Sequence, residues 1–505
     1  MLKCLLVALT CGALHAAAIR GTVVEKQSGK PLARALVVVQ PLAGSNGATA
    51  SVRTKPNGSF EFPGLPAGWY VVSASKTGFA RVEYGQKSWF SAGTPVALAE
   101  SGEIGLRLAV PHFGAIGGRV TDENNVGVPN CTVFAYSNTR PPELVGQAVT
   151  DDRGVYRVFG LAPGDYLTRT GALTNEIGVY LPTFARESLT VDGANGSGAA
   201  LDRDSLYADV HPIAGRLFTV SGTVSISSSG LAQATVTLVS DVGPQVQTSG
   251  LDGRFTFERV APGAYELYAQ GFDATSHRTV AAWLPVEIGG NRAGIALDLA
   301  PLPSVRFSFV DTSGKPVDPN GLPFLARRKD LSGPGRTEYL RLDSGGQARL
   351  DLGRWEVALG PNASWYVAGF SGPEARTTSG PPAGWNEIAV APGNALLAVE
   401  VVLLPHPGRL RGVVASGGQP AAGAPVFLEA IDPASGLRWG DLRVTRAGVD
   451  GQYVFAGLAP GAYRVASTFE YQAPDWAAMT RAGAREVRIE QGGEAPLDPE
   501  LWVMP

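Results

Sequence analysis

The histidines are the first residues to consider for catalytic or metal-binding chemistry in this chain. Beyond residue 18 there are four of them, His112, His211, His277 and His406. None lies within a helical turn or a short loop of a second histidine or a cysteine, and the patterns H-E-x-x-H, C-x-x-C and G-x-S-x-G do not occur. The sequence therefore predicts no catalytic residues, no cofactor and no enzymatic activity.

Cysteine offers equally little chemistry. Cys131 is the one cysteine beyond residue 18, so the exported chain is expected to hold no intrachain disulfide. In an alignment of the internal repeats described below, Cys131 takes the place of Ala35, Ala234 and Ala424. We interpret it as a small buried side chain, because a reactive thiol needs an exposed, electropositive setting.

Acidic side chains are concentrated between Asp192 and Asp209. Their oxygens are of the type that Ca²⁺ prefers, but the spacing of an EF-hand is missing. The same segment is also typical of a solvated loop that precedes a domain junction. The sequence therefore assigns no metal site here and leaves calcium binding as an open alternative.

Aromatic residues are the most suggestive candidates for binding. Six of the nine tryptophans fall after residue 300. Trp355 takes a position that tyrosine holds in the repeats, so we expect it in a core. The candidate ligand-binding residues lie in loop-like contexts and are Trp365, Tyr366, Trp385, Trp439 and Trp476. Exposed rings give a rigid contact area for sugars or proteins, whereas the alternative is that each ring covers its own domain's core.

The elements that must position these residues form an internal repeat. One cassette occurs as NGSFEFPGLPAGWY, RGVYRVFGLAPGDY, DGRFTFERVAPGAY and DGQYVFAGLAPGAY. A turn glycine begins each cassette, an alternating strand follows, and a Pro-Gly loop leads to a tyrosine twelve residues after the glycine. We predict that this tyrosine forms a corner in which its hydroxyl binds the backbone.

Strand pairs precede each cassette, and the whole unit recurs about every hundred residues. Between 301 and 405 the unit is eroded, with Trp355 replacing the tyrosine. The predicted organisation is a signal peptide followed by five β-sandwiches, the fourth of them degenerate, at residues 1–18, 19–110, 111–213, 214–300, 301–405 and 406–505. Short proline-rich junctions between the domains predict a semi-rigid rod.

The repeat resembles the carboxypeptidase regulatory-like domain. The resemblance rests on G-x-V-x-D-x-x-G-x-P followed by D-G-x-F-x-F-x-x-L-x-P-G-x-Y, and it covers nearly the whole chain after residue 18. That family is grouped with transthyretin-like, collagen-adhesin B-type and starch-binding-like folds. The resemblance implies an all-β chain, a tandem array of five seven-stranded Greek-key β-sandwiches. Such folds serve as spacers, adhesin stalks and carbohydrate binders, so function follows only loosely.

The first eighteen residues have the pattern of a cleaved signal peptide. MLK carries a positive charge, a short apolar run follows, and Ala16-Ala17-Ala18 supplies small residues before a cleavage site at Ile19. The expected location is periplasmic, secreted or on the cell surface. A net charge of −3 argues against nucleic acid as a partner, and no segment has the length of a membrane span.

Two functions remain at this stage. The first is a secreted, non-catalytic structural or interaction protein that contacts an extracellular protein or polysaccharide. The alternative is a carbohydrate-binding protein that uses the loop aromatics of the fourth and fifth domains. A flat row of exposed tryptophans beside Asp, Asn or Arg side chains would favour the alternative.

Overall fold

The computed structural model describes residues 17–139, 142–176, 178–226, 230–231, 233–302, 304–329, 337–372, 375–376, 384–391, 396–432, 435–436 and 438–504. Five hydrophobic cores follow one another along these residues. Each core lies between strands of one repeat unit, and we keep the proposed boundaries as names for the first to fifth domains.

The first domain shows the plan that the others repeat. Its strands are β1 (Ala18–Glu25), β2 (Leu36–Pro41), β3 (Ala50–Arg53), β4 (Ser59–Pro63), β5 (Gly68–Lys76), β6 (Phe79–Glu83), β7 (Val96–Leu98) and β8 (Glu103–Val110). One sheet has the order β4-β1-β8, with β1 and β8 parallel. The other has the order β3-β2-β5, and both β6 and β7 pair with β5. The two sheets enclose the core in seven strand positions, of which the sixth is split.

The second and third domains keep these seven positions. The second contains β9 (Gly114–Arg119), β10 (Thr132–Ser137), β11 (Leu144–Val149), β12 (Val155–Leu161), β13 (Gly164–Thr170), β14 (Leu173–Thr174), β15 (Val179–Tyr180), β16 (Ser197–Ala199) and β17 (Asp204–Ser205). The third contains β18 (Phe218–Ile226), β19 (Gly230–Leu231), β20 (Ala234–Ser240), β21 (Gly243–Thr248), β22 (Arg254–Val260), β23 (Gly263–Asp273), β24 (Arg278–Ile288) and β25 (Arg292–Pro301). In the third domain β24 also pairs with β25, which joins the two sheets.

The fourth and fifth domains add short elements to the plan. The fourth contains β26 (Ser304–Asp311), β27 (Phe324–Arg328), β28 (Glu338–Tyr339), β29 (Gln347–Ala348), β30 (Gly353–Leu359), β31 (Trp365–Ser371), β32 (Ala375–Arg376), β33 (Asn386–Val390) and β34 (Leu396–Pro405). The fifth contains β35 (Gly408–Val413), β36 (Ala415–Ser416), β37 (Gln419–Pro420), β38 (Pro425–Ile431), β39 (Arg438–Arg446), β40 (Gln452–Leu458), β41 (Gly461–Thr468), α1 (Trp476–Arg481), β42 (Arg485–Ile489), β43 (Glu494–Pro496) and β44 (Leu501–Trp502). The all-β Greek-key prediction is confirmed, with one short helix that the repeat did not indicate.

The cassette folds as its residue types require. Gly58, Gly154, Gly253 and Gly451 have φ between 72° and 78°, a region that favours glycine. In the strand after Gly58, Phe60 and Phe62 are buried while Glu61 between them is exposed, which places every second side chain in the core.

The predicted tyrosine corner is present in every repeat. The hydroxyls of Tyr70, Tyr166, Tyr265 and Tyr463 donate to the carbonyl oxygen four residues earlier, at 2.7–2.9 Å. In the degenerate fourth domain the Nε1–H of Trp355 donates to the carbonyl of Asp351 at 2.9 Å. The tryptophan therefore keeps the same backbone contact with a different donor, and it packs against the core as expected.

Successive domains are joined by polar contacts as well as by the chain. Pairs that link them include Glu25 with His112 (2.8 Å), Ala172 with Arg259 (2.7 Å), Gln270 with Asp351 (3.4 Å) and Arg327 with Asp441 (3.3 Å). These side-chain contacts help to hold each domain against its neighbour.

The semi-rigid rod expected from the junctions is wrong, because the first and fifth domains are in direct contact. The N–H of Ala92 donates to the carbonyl of Phe469 at 2.7 Å, and the N–H of Gln472 donates to the carbonyl of Phe90 at 2.5 Å. The short junctions allow each domain to turn relative to its neighbour, so the chain closes on itself. We call this contact the first–fifth junction.

Candidate functional site at the fourth and fifth domains

Three of the five predicted aromatic residues line one cleft between the fourth and fifth domains. Trp365 and Tyr366 begin β31, and Trp385 comes directly before β33. The side chain of Asn362 accepts hydrogen bonds from the N–H groups of Ser364 and Trp365, which turns the chain into β31. The cleft has a volume of about 150 Å³.

Trp385 is held at the mouth of this cleft by charged neighbours. Its Nε1–H donates to Oδ2 of Asp441 at 3.0 Å, and the guanidinium of Arg327 lies 4.1 Å from the centre of its ring. Arg327 also forms ion pairs with Asp441 at 3.3 Å and with Glu356 at 2.7 Å. One face and the polar edge of the indole are therefore occupied by protein groups.

The fifth domain supplies the opposite wall. Burial lowers the pKa of the Arg443 guanidinium from its ordinary value, and the group donates to the carbonyl of Ala456 at 2.8 Å. Beside it lies Tyr463, the corner tyrosine, and burial raises the pKa of its hydroxyl to about 12. The wall thus has a cationic group and a neutral phenol.

Trp476 is not among the residues that line this cleft. Trp476 begins α1, and the guanidinium of Arg464 lies 3.8 Å from its ring centre. Arg464 in turn faces the fully buried Glu429, with 3.3 Å between Nε and Oε1. Trp439 lies in β39 opposite Ala430, and its side chain is outside the described part of the chain.

The dimensions of the cleft favour domain packing over ligand binding. Sites for small molecules usually have volumes of about 300–1,000 Å³, several times that of this cleft. Trp385, Arg327 and Asp441 instead form a cross-domain cluster in which every polar edge has a partner. Ligand binding by the five aromatic residues stays a prediction.

The acidic segment forms hydrogen bonds within the protein. Asp204 accepts two hydrogen bonds from the Arg157 guanidinium, at 2.7 and 2.8 Å. Asp209 accepts from the N–H of Arg119 at 2.7 Å, and Asp202 accepts from the N–H of His112 at 2.8 Å. Among the described residues, no group of three or more His, Cys, Asp and Glu side chains is arranged to hold a metal ion.

Cys131 is buried, as the repeat alignment predicts. Its side chain is 1% exposed, and burial raises the pKa of the thiol to about 11. Its Sγ lies 3.7 Å from the carbonyl oxygen of Thr132. The thiol is therefore protonated at neutral pH and packed as an apolar group.

Sequence reasoning missed the first–fifth junction. A third backbone hydrogen bond runs from the N–H of Val449 to the carbonyl of Ala43 at 3.2 Å. In addition, Arg446 pairs with Glu83 at 2.9 Å and Lys87 pairs with Glu470 at 2.6 Å. The Nε2–H of Gln472 donates to a further carbonyl at 3.0 Å. These residues lie outside the sequence pattern that the repeats share, so the repeat did not indicate them.

Comparisons with known proteins support the family resemblance. Residues 18–102 match the carboxypeptidase regulatory-like domain family, so the resemblance is confirmed. Serine-aspartate repeat-containing protein E of Staphylococcus aureus (strain USA300) is 25% identical over 273 residues, which are 47% of this chain. The match covers 23% of that relative, so this chain spans less than a quarter of its length.

Solved pilin structures match this chain at low overall similarity. GBS52, the minor pilin of Streptococcus agalactiae, is 12% identical, with coverage of 40% of this chain and 97% of its own and a TM-score of 0.25. BcpA, the major pilin subunit of Bacillus cereus, is 10% identical, with coverage of 56% and 99% and a TM-score of 0.17. The described residues contain no helix long and apolar enough to cross a membrane.

Proposed function

We propose that this protein is an exported, non-catalytic scaffold that holds five sandwich domains in a closed arrangement and contacts an extracellular partner. The observation that carries the proposal is the first–fifth junction. Two ion pairs and three backbone hydrogen bonds join the domains at opposite ends of the chain. A closed array fixes the orientation of its domains relative to one another. One partner can then bind several domains at the same time, which requires a suitable geometry.

The clusters between domains support this role. Trp385, Arg327 and Asp441 link the fourth domain to the fifth, and Arg259 links the third to the second. These hydrogen bonds and ion pairs thus hold neighbouring domains in a set orientation. Carbohydrate binding through the loop aromatics of the fourth and fifth domains gains no support from the 150 Å³ cleft, so we do not adopt it as the main function.

Export follows from the sequence pattern of the first eighteen residues, and the structure adds one detail. β1 begins at Ala18, and Ala17 and Ala18 are buried, so both pack with the first domain. Cleavage before Ile19 would remove these two residues from the folded domain. N-terminal sequencing of the exported protein would locate the cut.

Partner capture tests the scaffold role. The mature chain and an open form with Arg446→Glu serve as baits for envelope proteins and polysaccharides of the source cells. A scaffold partner is enriched at least tenfold by the closed chain over the open one. Equal capture of every ligand by both forms would contradict the proposal, as would recovery of the native protein only from the cytoplasm.

A further inference from the structure

One sheet face in the third domain has an arrangement of side chains that the other domains lack. In the register of β21, β20, β23 and β24, a straight row across four strands contains Val246, Thr237, Tyr268 and Trp283. The next row contains Thr248, Thr235, Gln270 and Ala281. Side chains at alternate positions of these strands fill the core, so the two rows lie on the opposite side of the sheet, where Ala281 alone is fully buried next to β25.

The repeat itself shows that Tyr268 is unusual. It lies three residues after the corner tyrosine, a position that the first, second, fourth and fifth domains fill with Ser73, Arg169, Ala358 and Ala466. Ala466 packs beneath α1, the Arg169 guanidinium lies 5.2 Å from the centre of the Phe184 ring, and Ala358 lines the cleft between the fourth and fifth domains. The corresponding face is therefore covered in those three domains.

In the third domain much of this face remains accessible. Trp283 is 47% exposed and lies directly opposite Tyr268 in the strand register, so the two aromatic side chains are cross-strand neighbours on this face. Phe272 extends it and is 59% exposed. The hydroxyl of Tyr268 donates to Glu266 at 2.5 Å, which holds the ring in place.

A cleft of about 700 Å³ lies over part of the same face. Its floor includes Thr235, Thr237, Tyr268 and Gln270, and its far wall is formed by Arg328 and Leu352 of the fourth domain. This volume lies within the range of ligand sites, unlike the 150 Å³ cleft between the fourth and fifth domains. Four strands span about 14 Å, so the floor is long enough for more than one sugar ring.

The chemistry of the floor indicates the class of ligand. All eight side chains of the two rows are uncharged, and hydroxyl and amide groups surround the aromatic pair. The apolar faces of sugar rings stack on aromatic rings, while sugar hydroxyls bind threonine and glutamine side chains. An anionic polymer would require clustered cations, whereas Arg328 is the one cationic side chain among the described residues that line the cleft.

We propose that the outward face of the third domain, centred on Tyr268 and Trp283, binds a neutral polysaccharide. The proposal goes beyond the scaffold role and does not depend on closure of the chain, because all eight residues of the two rows belong to one domain. The aromatic pair supplies stacking and the threonines supply hydrogen bonds, while the side-chain amide of Gln270 also donates to Asp351 of the fourth domain at 3.4 Å.

Affinity gel electrophoresis of the mature full chain tests this site. The probes are four neutral polysaccharides, soluble starch, dextran, galactomannan and arabinoxylan, with alginate as an anionic comparison. We expect retardation by at least one neutral polymer, and at least tenfold weaker binding in the variants Trp283→Ala and Tyr268→Ala. Tyr268→Phe keeps the ring and should retain most of the affinity.

A matched control is Tyr207→Ala in the second domain, since Tyr207 is 86% exposed and outside this face. Its binding should equal that of the unmodified chain, and so should that of the open variant Arg446→Glu. The proposal is overturned if none of the four neutral polymers binds, if alginate binds more tightly than all of them, or if binding survives the double substitution Tyr268→Ala and Trp283→Ala.

Discussion

Replacing Arg446 with glutamate would place two carboxylates face to face at the first–fifth junction. Arg446 lies 2.9 Å from Glu83, and the two side chains are 30% and 11% exposed. Glu83 also accepts a hydrogen bond from the N–H of Gly93 at 2.9 Å, so its carboxylate cannot turn away without losing a second contact. The substitution therefore removes an attraction and adds a repulsion.

The size of the effect follows from the burial of the pair. A charge-assisted hydrogen bond in a partly buried setting contributes about 1.5–3 kcal/mol. The second ion pair of the junction, between Lys87 and Glu470, contributes less because Lys87 is 63% exposed. A loss of about 3 kcal/mol shifts the equilibrium between closed and open chains by roughly a hundredfold.

A distance measurement between the first and fifth domains reports this equilibrium. Cysteines introduced at Thr49 in the first domain and Gln419 in the fifth carry a donor and an acceptor dye, because both positions are exposed. The native Cys131 thiol is buried and should stay unlabelled. We expect efficient energy transfer in the parent chain and a large loss of transfer in the Arg446→Glu form.

Two further variants separate opening from unfolding. Arg488→Glu changes the same charge at a site that is 79% exposed and paired with Glu490 in its own domain, so it should leave transfer unchanged. The double variant Glu83→Arg with Arg446→Glu exchanges the two charges, so it should restore much of the energy transfer that Arg446→Glu alone loses. Unchanged transfer in the single Arg446→Glu variant, with its fold intact by circular dichroism, would refute the reasoning.

Three other predictions concern single side chains. Tyr463→Phe removes a buried hydroxyl that donates to Ala459 at 2.7 Å, so urea unfolding should show a loss of about 1 kcal/mol, and no measurable loss would contradict the role of the corner. Alkylation of Cys131 in the folded chain should stay slow at pH 8 and become fast only near the thiol pKa of about 11 or after unfolding; rapid labelling at pH 8 would contradict its burial. The N–H of Val155, with smaller contributions from Arg153, lowers the pKa of Asp151, so the stabilisation is present above the unfolded-state pKa of about 3.9 and is lost as pH falls through the lower folded value. Asp151→Asn should therefore flatten the decline of stability below pH 4 in urea titrations, and an unchanged slope would contradict this contribution.

The sequence predicts the interior of each domain well because the same pattern of turn, core and corner residues recurs in each cassette. A turn glycine, two inward aromatic or aliphatic residues and a corner tyrosine recur, so each copy supports the interpretation of the others. Even Trp355 could be assigned to a core from its position in the repeat, although its hydrogen bond to Asp351 was not foreseen. Cys131 was placed correctly for the same reason.

Contacts between domains could not be predicted in this way. Glu83, Lys87, Arg446 and Glu470 lie in segments that differ between repeats, and nothing in their spacing links the first domain to the fifth. Short proline-rich junctions are compatible with both a straight and a closed array, and a rod was the wrong choice. The loop-like context of Trp385 likewise did not indicate its contacts with Arg327 and Asp441, and its role as a ligand residue stays a prediction.

Trp283 was not predicted as a binding residue, because the sequence-based candidates were aromatic residues in loop-like contexts. It lies within β24, between Ala282, which packs in the core, and Leu284, which is 37% exposed. The strand alternation alone would have placed it outward, and comparison of the five copies would have shown that Tyr268 has no aromatic counterpart. Repeats are informative where they agree and also where one copy departs from the rest.

Small-angle X-ray scattering of the mature chain tests closure most directly. A domain of about 100 residues has a radius of gyration near 13 Å, so five domains in a ring reach about 90 Å across, whereas five in a row reach about 170 Å. We predict a maximum dimension near the smaller value and a scattering profile that the closed structure reproduces. A maximum dimension near 170 Å in dilute solution would contradict the first–fifth junction and the closed scaffold built on it.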